Sequence, residues 1–367
     1  MPGPALESAV FTAANATVGR RLDAYATNDV VNVKNYGAVG DGTADDRAAV
    51  QAAIDYAFGA AGSPHGLNFE LNKPLFFPPG IYKLGNGTVD GIVFTQVKRG
   101  HIYGAVNSKL IIPFNSTNKQ IIRTNGMESS LLENMTLELA GTPTGSVALD
   151  IDWDGTGSVG LQNNTFRKLE IGGGGSTGGA TGVRIANSGN GGAANYFWNV
   201  ISTIIGTGYH VKGANATGQV FQGICGGSES HICWLVDGGS IATITGISNA
   251  GTNVQTDIVI NNASTITVQG VRSEASWFLE LNASGAKAII QVARVGSGGH
   301  TGTQQNIKMA PGTTLAIDGL VTYAIVATSP GTTPKPIIYK RGGANPDTGA
   351  PITFSPSSSD FTFLQNI

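Results

Sequence analysis

Short apolar runs, separated by glycine, asparagine and serine, recur along most of the 367 residues, and inside each run apolar and polar positions alternate. Alternation with a period of two is the pattern of a half-buried strand. Laying 165–171 over 196–202, 220–226, 243–249 and 267–273 places Leu169, Val200, Ile224, Ile247 and Val271 in one inward column, at spacings of 31, 24, 23 and 24 residues. Leu137 joins that column 32 residues before Leu169. A second series follows at a similar period, with 183–185, 209–211, 234–236, 258–260 and 279–281. Strands this short, with no helical stretch between them, leave no room for crossover helices. They fit a solenoid in which parallel strands of successive coils stack about 4.8 Å apart. The predicted architecture is all-β, a parallel β-helix over residues 31–324.

One helix is predicted ahead of the coils. Thr43 and Asp46 have the spacing of a capping box, and Ala49, Val50, Ala53, Ile54 and Ala57 form an apolar stripe. A helix over 44–58 would cover the open first coil and its strand edges. At the other end, six of the 15 prolines (Pro330, Pro334, Pro336, Pro346, Pro351 and Pro356) fall within the last 38 residues. Proline cannot donate to a ladder, so a non-solenoid C-terminal extension is predicted for 325–367, and residues 1–30 read as an N-terminal arm.

The run 31–54, containing Tyr36-Gly37-Ala38-Val39-Gly40-Asp41-Gly42, and the later Phe76-Phe77-Pro78-Pro79-Gly80-Ile81-Tyr82 carry a likeness. Together they resemble the N-terminal opening of the pectate-lyase-like superfamily. The resemblance implies a right-handed parallel β-helix of the kind found in polysaccharide lyases, glycoside hydrolases and phage tailspikes, with a polysaccharide as ligand. It speaks to fold rather than chemistry, because the shared residues build a turn, a helix cap and a strand. The polygalacturonase Asn-Thr-Asp, Gly-His-Gly and Arg-Ile-Lys motifs and the pectate lyase Trp-x-Asp-His motif are missing from this sequence, so no pectin chemistry carries over residue by residue.

Composition narrows the classes further. An apolar share of 41% excludes wholesale disorder. With 22 basic and 24 acidic residues, a net charge of -2 and no long basic run, the chain offers no footprint for nucleic acid or an anionic membrane. No stretch approaches 18 apolar residues, and residues 1–30 lack the basic start and apolar core of a secretory signal. Two cysteines, Cys225 and Cys233, provide neither a disulfide framework nor a zinc site.

Candidate chemistry comes from three outward clusters. Glu138 and Glu170 follow the inward Leu137 and Leu169, which would stack them on neighbouring coils at the separation of a retaining glycosidase pair; an exposed, splayed pair is the alternative. Asp150, Arg184 and His210 share a column in the second strand series, able to bind a uronic acid or abstract its proton, or simply to balance one another as a charge ladder. Asp150, Asp152 and Asp154, followed by Gly155, match the start of a calcium loop, but its twelfth position is Leu161. No cofactor is required, and calcium is the one the sequence raises. Trp198 is predicted to face outward as a glycan platform, with Trp153 beside the aspartates. A turn bearing Glu229, His231 and Asp237, and Glu274 and Glu280 around Trp277, are further candidates that periodicity cannot place.

Three functions fit. The first is a phage tailspike or tail-fibre type of protein that binds a bacterial surface polysaccharide, with or without depolymerising it as a glycoside hydrolase or polysaccharide lyase. The resemblance then implies a homotrimer on the virion tail, extracellular, its N-terminal arm meeting other tail proteins and its C-terminal part locking the trimer. The second is a secreted monomeric lyase or hydrolase, and the third a glycan-binding spike without catalysis. Whether the chain is an enzyme stays open at this point.

Overall fold

The computed structural model describes residues 30–60, 63–64, 72–113, 116–141, 143–173, 179–203, 205–223, 226–228, 232–245, 248–249, 256–273, 277–295 and 305–318, and then the strands at 321–322, 325–328, 337–341 and 362–365. Apart from one helix, a 3-10 turn and a two-residue hairpin, these elements are parallel strands of a β-helix. Each coil has three faces. The third face is a ladder running from Ile92–Lys98 through Gln120–Glu128, Val147–Ile151, Thr181–Ile185, Thr207–Val211 and Ile232–Val236 to Gln305–Met309.

The first and second faces are one sheet bent along a line. Strands Leu131–Leu139 and Thr165–Gly173 run through the bend, and their residues there, Asn134 and Lys168, take φ of 58° and 51°. On the next coil Asn199, φ 51°, separates Tyr196–Trp198 from Ile201–Thr203. A left-handed residue turns the strand sharply without ending its pairing on either side, and asparagine tolerates that conformation better than most.

The interior is stacked aliphatic and aromatic layers. Phe166, Phe197 and Phe221 lie ring over ring at 5.0 and 4.6 Å, and Tyr209 stacks on Trp234 at 5.2 Å. Where the third face turns into the first, a buried amide ladder replaces them: Asn164 Nδ2 donates to Asn195 Oδ1 at 3.0 Å, and Asn195 Nδ2 to Gln219 Oε1 at 3.2 Å. Each amide satisfies the one above it, which makes polar burial tolerable at that corner.

The second strand series has the predicted register: Val183, Tyr209, Trp234, Ile258 and Leu279 are successive ladder partners. In the first series Thr165, Tyr196, Val220 and Thr243 also align as expected. Leu137, Leu169 and Val200 are each fully buried. However, Leu137 stands opposite Ile171, and Met135 is the partner of Leu169. A slip of two residues keeps every side chain on its face, so alternation cannot detect it; the matching bends at Asn134 and Lys168 set the register instead. Ile224, Ile247 and the side chain of Val271 lie outside the described residues.

Two boundaries also move. The helix spans Arg47–Phe58, because Asp41–Asp45 is a strand paired with Gly80–Lys83. No capping box forms: the Asp46 carboxylate accepts from the Val39 and Gly40 amides at 2.5 and 3.0 Å, holding the preceding loop. Its apolar stripe, Val50, Ala53, Ile54 and Ala57, is buried over the first coil as predicted. The ladders also continue past residue 325, with Ile325–Thr328, Ile337–Arg341 and Thr362–Gln365 adding parallel strands. The prolines expected to break them fall between these strands in the sequence and lie outside the described residues. Residues 1–29 lie outside the described residues.

Candidate functional site

The Asp150, Arg184 and His210 column exists as predicted, each residue the ladder partner of the next. It is closed to a ligand at its base. Arg184 donates through Nε and Nη2 to the two oxygens of Asp150, both at 2.8 Å, and Asp150 is 2% exposed. Burial works against the Arg184 charge, yet the bonds and field of Asp150 outweigh it and hold the guanidinium above its ordinary pKa. His210 Nε2 meets Asp237 Oδ2 at 2.6 Å, and Asn261 Nδ2 donates to the other oxygen at 2.8 Å.

Burial lowers the His210 pKa below its ordinary value; Asp237 opposes the shift and Lys212 and Arg184 reinforce it. The unfolded chain therefore binds a proton at this histidine more readily than the native one. Its contribution to stability is complete above the ordinary histidine pKa of about 6.5 and is lost as pH falls from there toward the lowered native value. His210→Asn should flatten the slope of unfolding free energy against pH in that window, measured by urea melts at successive pH values. An unchanged slope would show that His210 titrates alike in both states.

The aspartate triplet does not converge. Asp152, 2% exposed, accepts from the Ser188 amide and hydroxyl at 2.9 and 2.7 Å, while Asp154 is exposed and accepts from Asn125 Nδ2 at 2.9 Å and the Thr156 amide at 2.8 Å. With Asp150 committed to Arg184, the three carboxylates point to three separate sets of donors. Among the described residues no group of three or more His, Cys, Asp or Glu side chains is placed to hold a metal. The donor set that the calcium-loop pattern suggested is thus not assembled, because strand Val147–Ile151 ends between Asp150 and Asp152 and the chain turns.

Glu138 and Glu170 are not ladder neighbours. Glu138 lies opposite Gly172 and Glu170 opposite Thr136, so one coil and two residues separate them, about 8 Å between backbones instead of the predicted 4.8 Å. Glu138 accepts from Lys109 Nζ at 2.6 Å. Glu170 is exposed beside an open cleft. Trp153 packs partly against the core and donates Nε1 to the Thr156 carbonyl at 2.6 Å. Trp198 is 54% exposed on the first face, with Tyr196 at 47% beside it. Cys233 is buried, and Glu280 accepts from Lys308 Nζ at 3.4 Å. Cys225, Glu229, His231 and Glu274 lie outside the described residues.

The first face carries a cluster that the periodicity did not single out. Tyr103, Glu133, Arg167, Trp198 and Gln222 are successive outward partners. Glu133, with 7% of its side chain exposed, accepts from His101 Nε2 at 2.9 Å and from Arg167 Nε at 2.7 Å, with Arg167 Nη2 also on it. Burial pushes the Glu133 carboxyl up, but the bonds and charges of Arg167 and His101 outweigh it and hold the pKa below its ordinary value. A buried carboxylate kept ionised fixes both partners. Their side chains remain 42% and 41% exposed, so each keeps surface open to solvent beyond its bond to Glu133. Tyr103 stacks on His101 at 4.7 Å, and Phe76 lies tilted against Tyr103 at 5.0 Å. Aromatic rings thus bracket a base and a cation on both sides along the coil axis.

Residues 30–314 match the family described as rhamnogalacturonase A/epimerase, pectate lyase-like. Among curated proteins the chain is similar to the mannuronan C5-epimerase AlgE2 of Azotobacter vinelandii, 37% identical over 82 residues that make up 22% of this chain and 7% of the relative. It therefore spans a small fraction of that protein's length. Among solved structures it is similar to the A-module of the A. vinelandii mannuronan C-5 epimerase AlgE4, at 14% identity and a TM-score of 0.47, covering 92% of this chain and 100% of the other. ORF18 of Geobacillus virus E2 gives 13% identity and a TM-score of 0.45, covering 96% of this chain and 64% of the other.

Proposed function

The chain belongs to the rhamnogalacturonase A/epimerase, pectate lyase-like family, and on that premise we propose that it binds an acidic polysaccharide along the first face and abstracts a proton alpha to a uronate carboxyl. The observation that carries this reading is the His101–Glu133–Arg167 cluster. Glu133 accepts the Nε2 proton of His101, which leaves the lone pair on Nδ1 to act as the base. Arg167 keeps free donors to pair with the substrate carboxylate, and its charge stabilises the enediolate that forms when the C5 proton leaves. Tyr103 and Trp198 give stacking surfaces for sugars on either side. From the enediolate, return of a proton to the opposite face inverts C5, and expulsion of the O4 substituent cleaves the chain; epimerisation and elimination share the first step.

The assembly we propose is the tailspike type, a homotrimer binding a bacterial surface polysaccharide, in line with the N-terminal likeness and with long flat solenoid faces suited to burial between subunits. Incubation with polygalacturonate, alginate and bacterial capsular polysaccharides in D2O tests the chemistry. Deuterium should enter C5 of recovered uronates, or unsaturated uronate ends should absorb in the ultraviolet. Neither signal from any uronan would overturn the proton-abstraction reading, and a monomeric mass by light scattering would overturn the trimer.

A further inference from the structure

We infer that the cleft at the bend between the first and second faces receives a neutral side branch of the polysaccharide. This rests on the reading that the main chain lies across the first face. The cleft has a volume of about 550 Å³ and is lined by residues 104–108, among them the exposed Val106 and Asn107, and by Asn134, Met135, Thr136, Lys168 and Glu170. That is within the size range of small-ligand sites, which run from about 300 to 1,000 Å³. It begins one residue beyond the Glu133–Arg167 pair, because Asn134 and Lys168 are the bend itself. A linear chain on the first face passes the mouth of the cleft, and a substituent is what can turn the corner into it.

Its lining selects the chemistry. Lys168 and Glu170 are exposed and make no ion pair among the described residues, although the neighbouring Glu138 is held by Lys109. An ammonium supplies donors only, a carboxylate acceptors only, and the two asparagine amides both. One unpaired charge of each sign, set among amides and the apolar Val106 and Met135, matches a sugar ring whose hydroxyls donate to Glu170 and accept from Lys168 while its C–H face meets the apolar side chains. A branch carrying its own charge would satisfy one of the pair and be repelled by the other. The bend itself bears on Lys168. Its column reads Asn134, Lys168, Asn199, and lysine is the member for which φ of 51° is least comfortable. A lysine held at positive φ, where asparagine stands on the coils to either side, is accounted for by a use for its ammonium.

Saturation-transfer NMR with free D-glucose, D-galactose and D-mannose, and D-glucuronate as the acidic control, tests this on the full chain. At least one neutral hexose should receive transfer. Lys168→Asn, which keeps a residue at ease in the bend and removes the ammonium, should weaken that binding about tenfold, as should Glu170→Gln. His101→Gln should leave it intact, so that loss of uronan chemistry and loss of branch binding are read separately. Transfer to none of the three hexoses, transfer to glucuronate alone, or hexose binding unchanged in both cleft variants would each overturn the inference.

Discussion

Asp150→Ala is expected to lower the unfolding free energy by about 3 kcal/mol, whereas Asp150→Asn should cost less. Asp150 is 2% exposed and takes two bonds from Arg184, whose side chain is itself only 17% exposed. Removing one partner of a buried pair leaves the other charge desolvated and unpaired, which typically costs about 3–5 kcal/mol. The lower end applies because Arg184 keeps some contact with water. Asparagine retains the shape and one acceptor for the guanidinium. Guanidinium chloride melts of the two variants measure the difference through the midpoint at constant slope. If Asp150→Ala melts like the parent while turnover falls, the column is catalytic after all, and its burial has been misjudged as structural.

Face and neighbour are separate pieces of information. Alternation fixes the face: Leu137, Leu169 and Val200 are inside, and Trp198 and Arg184 are outside. Neighbours depend on register, and register depended here on a bend made by Asn134 and Lys168 rather than by a glycine or proline that announces itself. Aligning Leu137 with Leu169 sets Glu138 beside Glu170 and Glu133 beside Thr165. The observed pairing, two residues later, sets Glu133 beside Arg167 and Glu138 beside Gly172. The same slip therefore created an apparent carboxylate pair and concealed a real carboxylate–guanidinium pair. His101 was further hidden because its coil precedes those whose repeat is evident. An extension of the ladder upstream, laying 101–103 over 131–133 and 165–167, is the signal that would have found it.

The same separation explains the ends of the molecule. Proline content between strands looks like proline content within them until the strands are located, and the three C-terminal strands are each only four or five residues long. The Asp46 carboxylate is a comparable case. Its distance from Thr43 satisfies a capping pattern, but the loop before it offers two amides, and the carboxylate, itself 1% exposed, is satisfied by both of them where a cap would give it one bond.

His101→Gln is expected to reduce turnover of a uronan by about 10² to 10⁴, with binding of the same polymer retained. Glutamine can still donate to Glu133, so the Glu133–Arg167 pair and the local packing persist, but it has no basic lone pair at the Nδ1 position. The loss should appear in kcat and kcat/KM together, as for a group that acts in the transition state alone. Glu133→Gln probes the same bond from the other side. It frees the tautomer of His101 and leaves Arg167 without its anion, so turnover falls and the acid behaviour changes with it. Because the native Glu133 pKa is lowered, its contribution to stability is complete above the ordinary carboxylate range and disappears as pH falls through the native value. The amide variant should lack that acid-dependent loss while being less stable at neutral pH. A His101→Gln enzyme that turns over uronan at the parental rate would remove the base from the mechanism and leave Arg167 and the aromatic rings as a binding surface for a chain that is not cut there.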